Sequence, residues 1–211
     1  MGHHQHDIER IRMLQYPTIN GSKHAPLGKP CIAFQKYDGS NLRWEWSPKR
    51  GWTKYGTRKQ LFDNNTPLYN QAIPLFMEGI ADELVYRVKQ SNKGIERITA
   101  FTEFFGASSF AGSHDFDEPK ELKLFDVFLF KKGFIKPKEF VRTFGDRSYA
   151  AEVLYEGNLN KQFVLDVREG RYPTPEGVIC KGDDFMVKVK TNAYFAKLYE
   201  KYNDAWVNYA E

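Results

Sequence analysis

The sequence contains no glycine-rich phosphate loop. Neither G-x-x-x-x-G-K-[ST] nor G-x-G-x-x-G occurs in its 211 residues, so a P-loop or Rossmann-type nucleotide site is excluded. Cysteine is scarce. Cys31 and Cys180 both sit in apolar runs, which suits buried thiols of a reducing, cytoplasmic compartment and is too few for a zinc knuckle. No run approaches the roughly 20 apolar residues of a membrane span. The N-terminus is polar, without the apolar core of a signal peptide. Strong charge of one sign is also missing: 31 Lys and Arg against 27 Asp and Glu leave +4. That balance is compatible with nucleic acid without demanding it. There are no repeats and no low-complexity segments.

Aromatic residues are plentiful. Seventeen Phe, 12 Tyr and 4 Trp can fill the core of one large domain. The chain reads as a single domain over 1–211, with residues 1–7 expected to be disordered. His3-His4-Gln5-His6 fits a frayed terminus better than a metal site. Residues 7–14 suggest a short helix or strand. The apolar run Cys31-Ile32-Ala33-Phe34 leads into Lys36-Tyr37-Asp38-Gly39-Ser40-Asn41, and an alternating run, Asn41 to Trp46, leads out. This is strand, short loop and strand, with a lysine at the mouth of the loop. A third strand covers Trp52–Tyr55. Thr66-Pro67 opens a helix with Thr as N-cap, kinked at Pro74. Strands follow at 95–105 and 122–130, with a small polar loop over 107–118 between them that is expected to be mobile. Short helices cover 136–144 and 160–169. Strands at 176–181 and 185–191 precede a final helix over 192–209. The fold expected is α+β, two mainly antiparallel sheets flanked by helices.

Polar signals lie at the ends of these strands. They are Lys36-x-Asp38-Gly39, Thr57-Arg58, Glu103 within Phe101–Gly106, Glu176-Gly177-Val178-Ile179, and Lys188-Val189-Lys190. Phe125-Asp126 sits on an aromatic strand between the third and fourth. Each alone has a bland account as turn, core or solvated face. Together they suit a nucleotide. Lys188 and Lys190 project from one face of a strand, because side chains repeat every two residues. They can clamp a phosphate and would depress the pKa of a nearby lysine amine. Glu176 can hold a divalent cation bridging phosphate oxygens. Phe125 can stack on a base and Arg58 can fork onto a phosphate.

The set resembles the covalent nucleotidyltransferases: ATP-dependent DNA and RNA ligases and GTP-dependent mRNA capping enzymes. Five motifs fall in the superfamily's order over residues 31–191. Lys36-Tyr37-Asp38-Gly39-Ser40-Asn41, with Asn41 where DNA ligases and capping enzymes usually carry arginine, is most similar to RNA ligases of the phage and RNA-editing type. The resemblance implies a nucleotide cleft between the sheets, with ATP and Mg²⁺ or Mn²⁺ as cofactors. Lys36 would attack the α-phosphorus and become a lysyl-adenylate. Gln35, Asp38, Gly39 and Asn41 would belong to the ATP site, with Arg58 and Asn41 on AMP or a substrate phosphate. Glu103 would contact the ribose, Phe125 would stack on adenine, and Lys188 and Lys190 would hold the α-phosphate. Glu176 would serve ATP and the metal. Asp38 would support sealing, although some enzymes of this type carry histidine there. The expected partner is RNA with nicked or broken ends.

Two departures stand beside the resemblance. No OB-fold domain follows the last motif, and no extra C-terminal domain of the phage type. The chain is therefore expected to be a catalytic domain standing alone, a part of a longer protein with a further C-terminal domain, or a subunit whose nucleic-acid-binding part lies on a partner protein. The alternatives are a small ATP-dependent DNA ligase core, a capping guanylyltransferase, and a non-catalytic nucleic-acid-binding module of the same fold.

Overall fold

The structure, a computed structural model, describes residues 13–209. The histidine cluster and residues 7–12 lie outside them. Eleven strands form two sheets among the described residues. In chain order these are β1 (Asn20–Gly21), β2 (Pro30–Lys36), β3 (Ser40–Ser47), β4 (Gly51–Thr57), β5 (Leu61–Phe62), β6 (Ile98–Gly106), β7 (Lys120–Leu129), β8 (Gly133–Phe134), β9 (Val153–Asn158), β10 (Gly177–Lys181) and β11 (Met186–Lys190). Five α-helices accompany them: α1 (Ala72–Gly79), α2 (Ala81–Ser91), α3 (Pro137–Phe144), α4 (Lys161–Arg168) and α5 (Asn192–Tyr202).

One sheet has the order β1-β11-β10-β2-β9 and the other β5-β4-β3-β6-β7-β8. All pairings are antiparallel except β1 with β11. The expected α+β class with two mainly antiparallel sheets is what the chain adopts. Apolar alternation fixes which face of each strand is buried. Ile32 and Phe34 of β2 join Leu42, Trp44, Phe104, Leu124 and Val127 in one core that also takes Phe76, Leu84 and Phe140 from the helices. Trp44 stacks on Phe76 with ring centroids 4.1 Å apart. The opposite face of β2 carries Cys31 and Ala33 into a second, smaller core with Phe163, Val167 and Val178. No helix among the described residues is long and apolar enough to cross a membrane.

Several local expectations need correction. Thr66 does not cap a helix. Its hydroxyl accepts from Asp63 N, closing a turn, and a 3₁₀ turn over Tyr69–Gln71 precedes α1. Pro74 sits in the first turn of α1, where a missing N–H costs nothing. The break falls instead at Ile80, between α1 and α2, where φ is −131°. The final helix stops at Tyr202, because Asn203 takes a φ of +47°, and a 3₁₀ segment covers Asn203–Asn208. Strand β9 had no clear sequence signal, since Glu156-Gly157-Asn158 looks like turn chemistry. The polar 107–118 loop is pinned at several points: Ala111 N donates to Asp38 at 2.9 Å, Ser108 N to Glu118 at 2.9 Å, and His114 lies between Ser40 and Ser109 at 2.8 and 2.9 Å.

Gly177 is the tightest point of the first sheet. Its φ is +147°, and a Cβ there would lie 2.0 Å from the carbonyl oxygen of Val189. Replacing it by alanine must push β10 off β11. Gly177→Ala should lower the free energy of unfolding by about 2 kcal/mol or more, read from the urea midpoint. An unchanged midpoint would contradict this account of the strand pair.

Candidate active site

Lys36 is the last residue of β2. Across the sheet it faces Gly177 of β10, which in turn faces Lys190 of β11. Three strands therefore end in one row, lysine, glycine, lysine. The glycine contributes no side chain, so the two amines can approach the same point. Glu176, just before β10, supplies that point. Its Oε1 lies 2.7 Å from Lys36 Nζ and 3.3 Å from Lys190 Nζ. The Glu176 and Lys190 side chains are only 3% and 7% exposed, against 23% for Lys36. Lys190 Nζ also donates to the carbonyl of Tyr209 at 2.8 Å. The second oxygen of Glu176, Oε2, is buried without a hydrogen-bond partner among the described residues. A buried, unpaired carboxylate oxygen is costly and calls for a ligand.

A cavity of about 320 Å³ opens beside Lys36, between the two sheets. Of the residues singled out in the sequence, Gln35, Lys36, Gly39, Asn41, Arg58, Glu103, Phe125 and Lys188 line it. Asn41 and Glu103 face each other across β3 and β6. The loop after Lys36 is held against β6: Gly39 N donates to Glu103 Oε1 at 3.1 Å. A Cβ on Gly39 would lie 2.2 Å from the carbonyl oxygen of Phe104, so glycine is what allows the approach. Phe125 owes its aim to a bulge. Phe101 pairs with Asp126 and Thr102 with Leu124, leaving Phe125 as the extra residue of β7. A bulge re-aims a side chain in this way.

Glu176 and Lys190 stand behind the cavity and reach it through Lys36. Asp38 is turned away. Its carboxylate accepts from Ala111 N at 2.9 Å and from Tyr194 OH at 2.9 Å, joining the lysine loop to the 107–118 loop and to α5.

The charges around Lys36 reverse one expectation. Lys188 and Lys190 were expected to depress its pKa. Burial does act to lower it, but Glu176, Glu103 and Asp38 outweigh burial, and the Lys36 pKa is raised. The amine is thus held as an ammonium. Lys190 moves the other way: burial lowers it, Glu176 opposes, and the neighbouring Lys36 and Lys188 lower it further. Burial pushes Glu103 up to about 8, with Lys36 opposing and Glu176 and Asp38 adding to the rise. The Asp38 pKa is raised by burial and by Glu176, against the hydrogen bonds from Tyr194 and Ala111.

Sequence reasoning missed a second buried group. Lys181 Nζ donates to the carbonyl of Phe125 at 2.7 Å and to Asp126 Oδ2 at 2.8 Å. Its ammonium lies 5.4–5.9 Å from the ring centres of Phe34, Tyr16, Phe125 and Phe140. Strand alternation held the clue, since Lys181 shares a face with Ile179 and both line the cavity. Tyr16, Thr18 and Ile19 of the N-terminal segment also line it, and no pattern marked them.

The fold is similar to that of solved RNA ligase structures. An apo variant of a Naegleria gruberi RNA ligase superposes with a TM-score of 0.63 at 16% identity, over 88% of this chain and 58% of that one. A variant of the Naegleria gruberi enzyme with AMP and Mn gives 0.62 at 16%, with the same coverage. The form with pyrophosphate gives 0.61 at 16%, over 91% of this chain and 58% of the other. The chain thus spans well under two thirds of these proteins. No protein-family model and no curated protein sequence matches it.

Two tests follow from these charges. Lys181 and Asp126 are 8% and 6% exposed, and removing one partner of such a pair typically costs about 3–5 kcal/mol. Lys181→Met should lose stability on that scale in urea, and adding Asp126→Leu should recover part of it; strict additivity would contradict the pairing. Glu103 tests the burial. A carboxyl whose folded pKa is raised above its unfolded value binds its proton more tightly when folded. It therefore contributes stability that is present below about pH 4.5 and lost as pH rises through about 8. Glu103→Gln should flatten stability against pH over that window, and an unchanged slope would contradict the shift.

Proposed function

We propose that this chain is the adenylating domain of an ATP-dependent RNA ligase, with Lys36 as the nucleophile. The observation that carries the reading is the convergence of Lys36 and Lys190 on Glu176 beside a cavity walled by Phe125, Glu103, Arg58 and Lys188. Among the Naegleria gruberi RNA ligase structures are ones with AMP and Mn, with ATP and Mn, and with pyrophosphate. Those ligands support ATP and a divalent metal as the cofactors here.

Phe125 stacks on the adenine ring, with Gln35 beside it, and Glu103 accepts from the ribose hydroxyls. Lys188, which lines the cavity, holds the α-phosphate, with Lys190 adding its charge from behind Lys36, and Arg58 and Asn41 contact AMP or the substrate phosphate. Lys36, whose side chain is 23% exposed, gives its proton to solvent in the cavity, and the freed nitrogen lone pair attacks the α-phosphorus. A P–N bond forms, the α–β P–O bond breaks, and pyrophosphate leaves. Lys188 and Lys190 stabilise the charge that develops on the α-phosphate oxygens. The adenylate then passes from Lys36 to a 5′-phosphate oxygen. A 3′-hydroxyl attacks that phosphorus, AMP leaves, and the strand is closed. RNA is the preferred substrate of this reading because of the lysine-loop sequence, with DNA as the alternative.

Glu176 fits Mg²⁺ or Mn²⁺: its Oε2 is a hard oxygen donor, buried and unpaired among the described residues. No three His, Cys, Asp or Glu of the described residues could hold a metal alone, so phosphate oxygens and waters complete the set. A cation bound there supplies positive charge that loosens the hold of Glu176 on the Lys36 proton.

Incubation with α-labelled ATP and Mg²⁺ or Mn²⁺ should leave acid-labile label on the protein, and Lys36→Ala should abolish it. No label with ATP or GTP would refute the reading. Label from GTP alone would point to a capping guanylyltransferase. Sealing of matched nicked RNA and DNA substrates decides the strand. Because the amine is held protonated, the rate of labelling should rise from pH 6.5 towards pH 9; a flat or falling profile would contradict the charge assignment.

A further inference from the structure

The N-terminal segment before β1 runs along the nucleotide cavity and is tied down by an arginine. Arg43, on β3, is 5% exposed. Its acceptors among the described residues are backbone carbonyls: Met13 at 2.7 Å, Leu14 at 3.2 Å and Thr57 at 2.8 Å. Gly56 lies against it, where a Cβ would meet its Nε at 2.9 Å. Burying a guanidinium is costly unless every donor is used, and these bonds fix where the segment begins. Two residues past Leu14, the buried Tyr16 sets its ring edge-on to Phe125, with centroids 5.0 Å apart and planes at 90°. The Tyr16 hydroxyl donates to Asp126 Oδ2 at 2.7 Å. The same oxygen takes the Lys181 ammonium, which also binds the carbonyl of Phe125. The ring at the bulge of β7 is thus held from beneath by a chain of contacts that starts at Arg43.

We propose that Met13–Ile19 is a working wall of the nucleotide cavity, and that Arg43 and Tyr16 are positioning residues for the Phe125 ring. This rests on the nucleotide reading above. The hydrogen bonds of Tyr16 and Arg43 go to Asp126, Met186 and backbone carbonyls and not to Lys36, Lys188 or Lys190, so both govern how tightly ATP binds and not how fast bound ATP reacts.

Calorimetric ATP affinity and the rate of lysyl-adenylate formation at saturating ATP separate the roles. Arg43→Met and Tyr16→Phe are the variants. Tyr16→Phe removes one hydroxyl and keeps the ring, so it preserves the fold. Each should weaken ATP binding by about fivefold, the scale of one net hydrogen bond, with the saturated rate within twofold of wild type. Unchanged affinity in a folded Tyr16→Phe protein would overturn the proposal, whatever Arg43→Met does to thermal stability. So would a saturated rate that falls as far as the affinity. A wild-type protein that binds no ATP would refute the functional reading. Hydrogen exchange then still decides the mechanical link: Arg43→Met should speed exchange at amides 123–127 as well as 13–19. Faster exchange at 13–19 alone would overturn it.

Discussion

One carboxylate organises this site. Glu176 is buried where two strand ends bring lysines together, and it holds both amines by a single oxygen. Two like charges at that distance repel strongly in a low-dielectric setting. Neither Lys36 nor Lys190 would be stable there without the carboxylate. The arrangement is also poised. Lys36 is kept charged and in place, and an ammonium is not a nucleophile.

The fold serves this contact in plain ways. Antiparallel pairing puts Lys36, Gly177 and Lys190 in one row. The absent side chain of Gly177 leaves space between the amines. On the facing sheet, Gly39 brings the loop after Lys36 against β6, so that Glu103 joins the same electrostatic group. The bulge at Phe125 then gives the cavity an aromatic side that a regular strand would have hidden in the core. Each device lies where a strand ends or slips, and those are the places where a backbone can depart from its ladder.

Much of this was legible in the sequence, and the parts that were not have physical causes. The strands around Lys36, Glu176 and Lys190 stood out because apolar alternation and turn residues frame them. That Lys36 and Glu176 would share a site followed from their place at strand ends. The direction of the Lys36 pKa did not follow. It depends on which of several charges lies nearest, and residue spacing cannot give 2.7 Å to one carboxylate. Asp38 was grouped with the nucleotide site for its place beside Gly39, but its partners come from the 107–118 loop and from α5, far along the chain. Arg43 and Tyr16 were invisible as a pair, since their link runs through backbone carbonyls that carry no sequence signal.

The most direct test of the central contact is the titration of the Lys36 side chain itself. Nitrogen-15 NMR of the nucleotide-free protein, assigned by comparison with Lys36→Arg, reads that ammonium. It should titrate above the ordinary lysine value of 10.5, and Glu176→Gln should bring it down. A Lys36 that titrates at or below 10.5 in the wild-type protein, or one that ignores the loss of the Glu176 charge, would contradict the account.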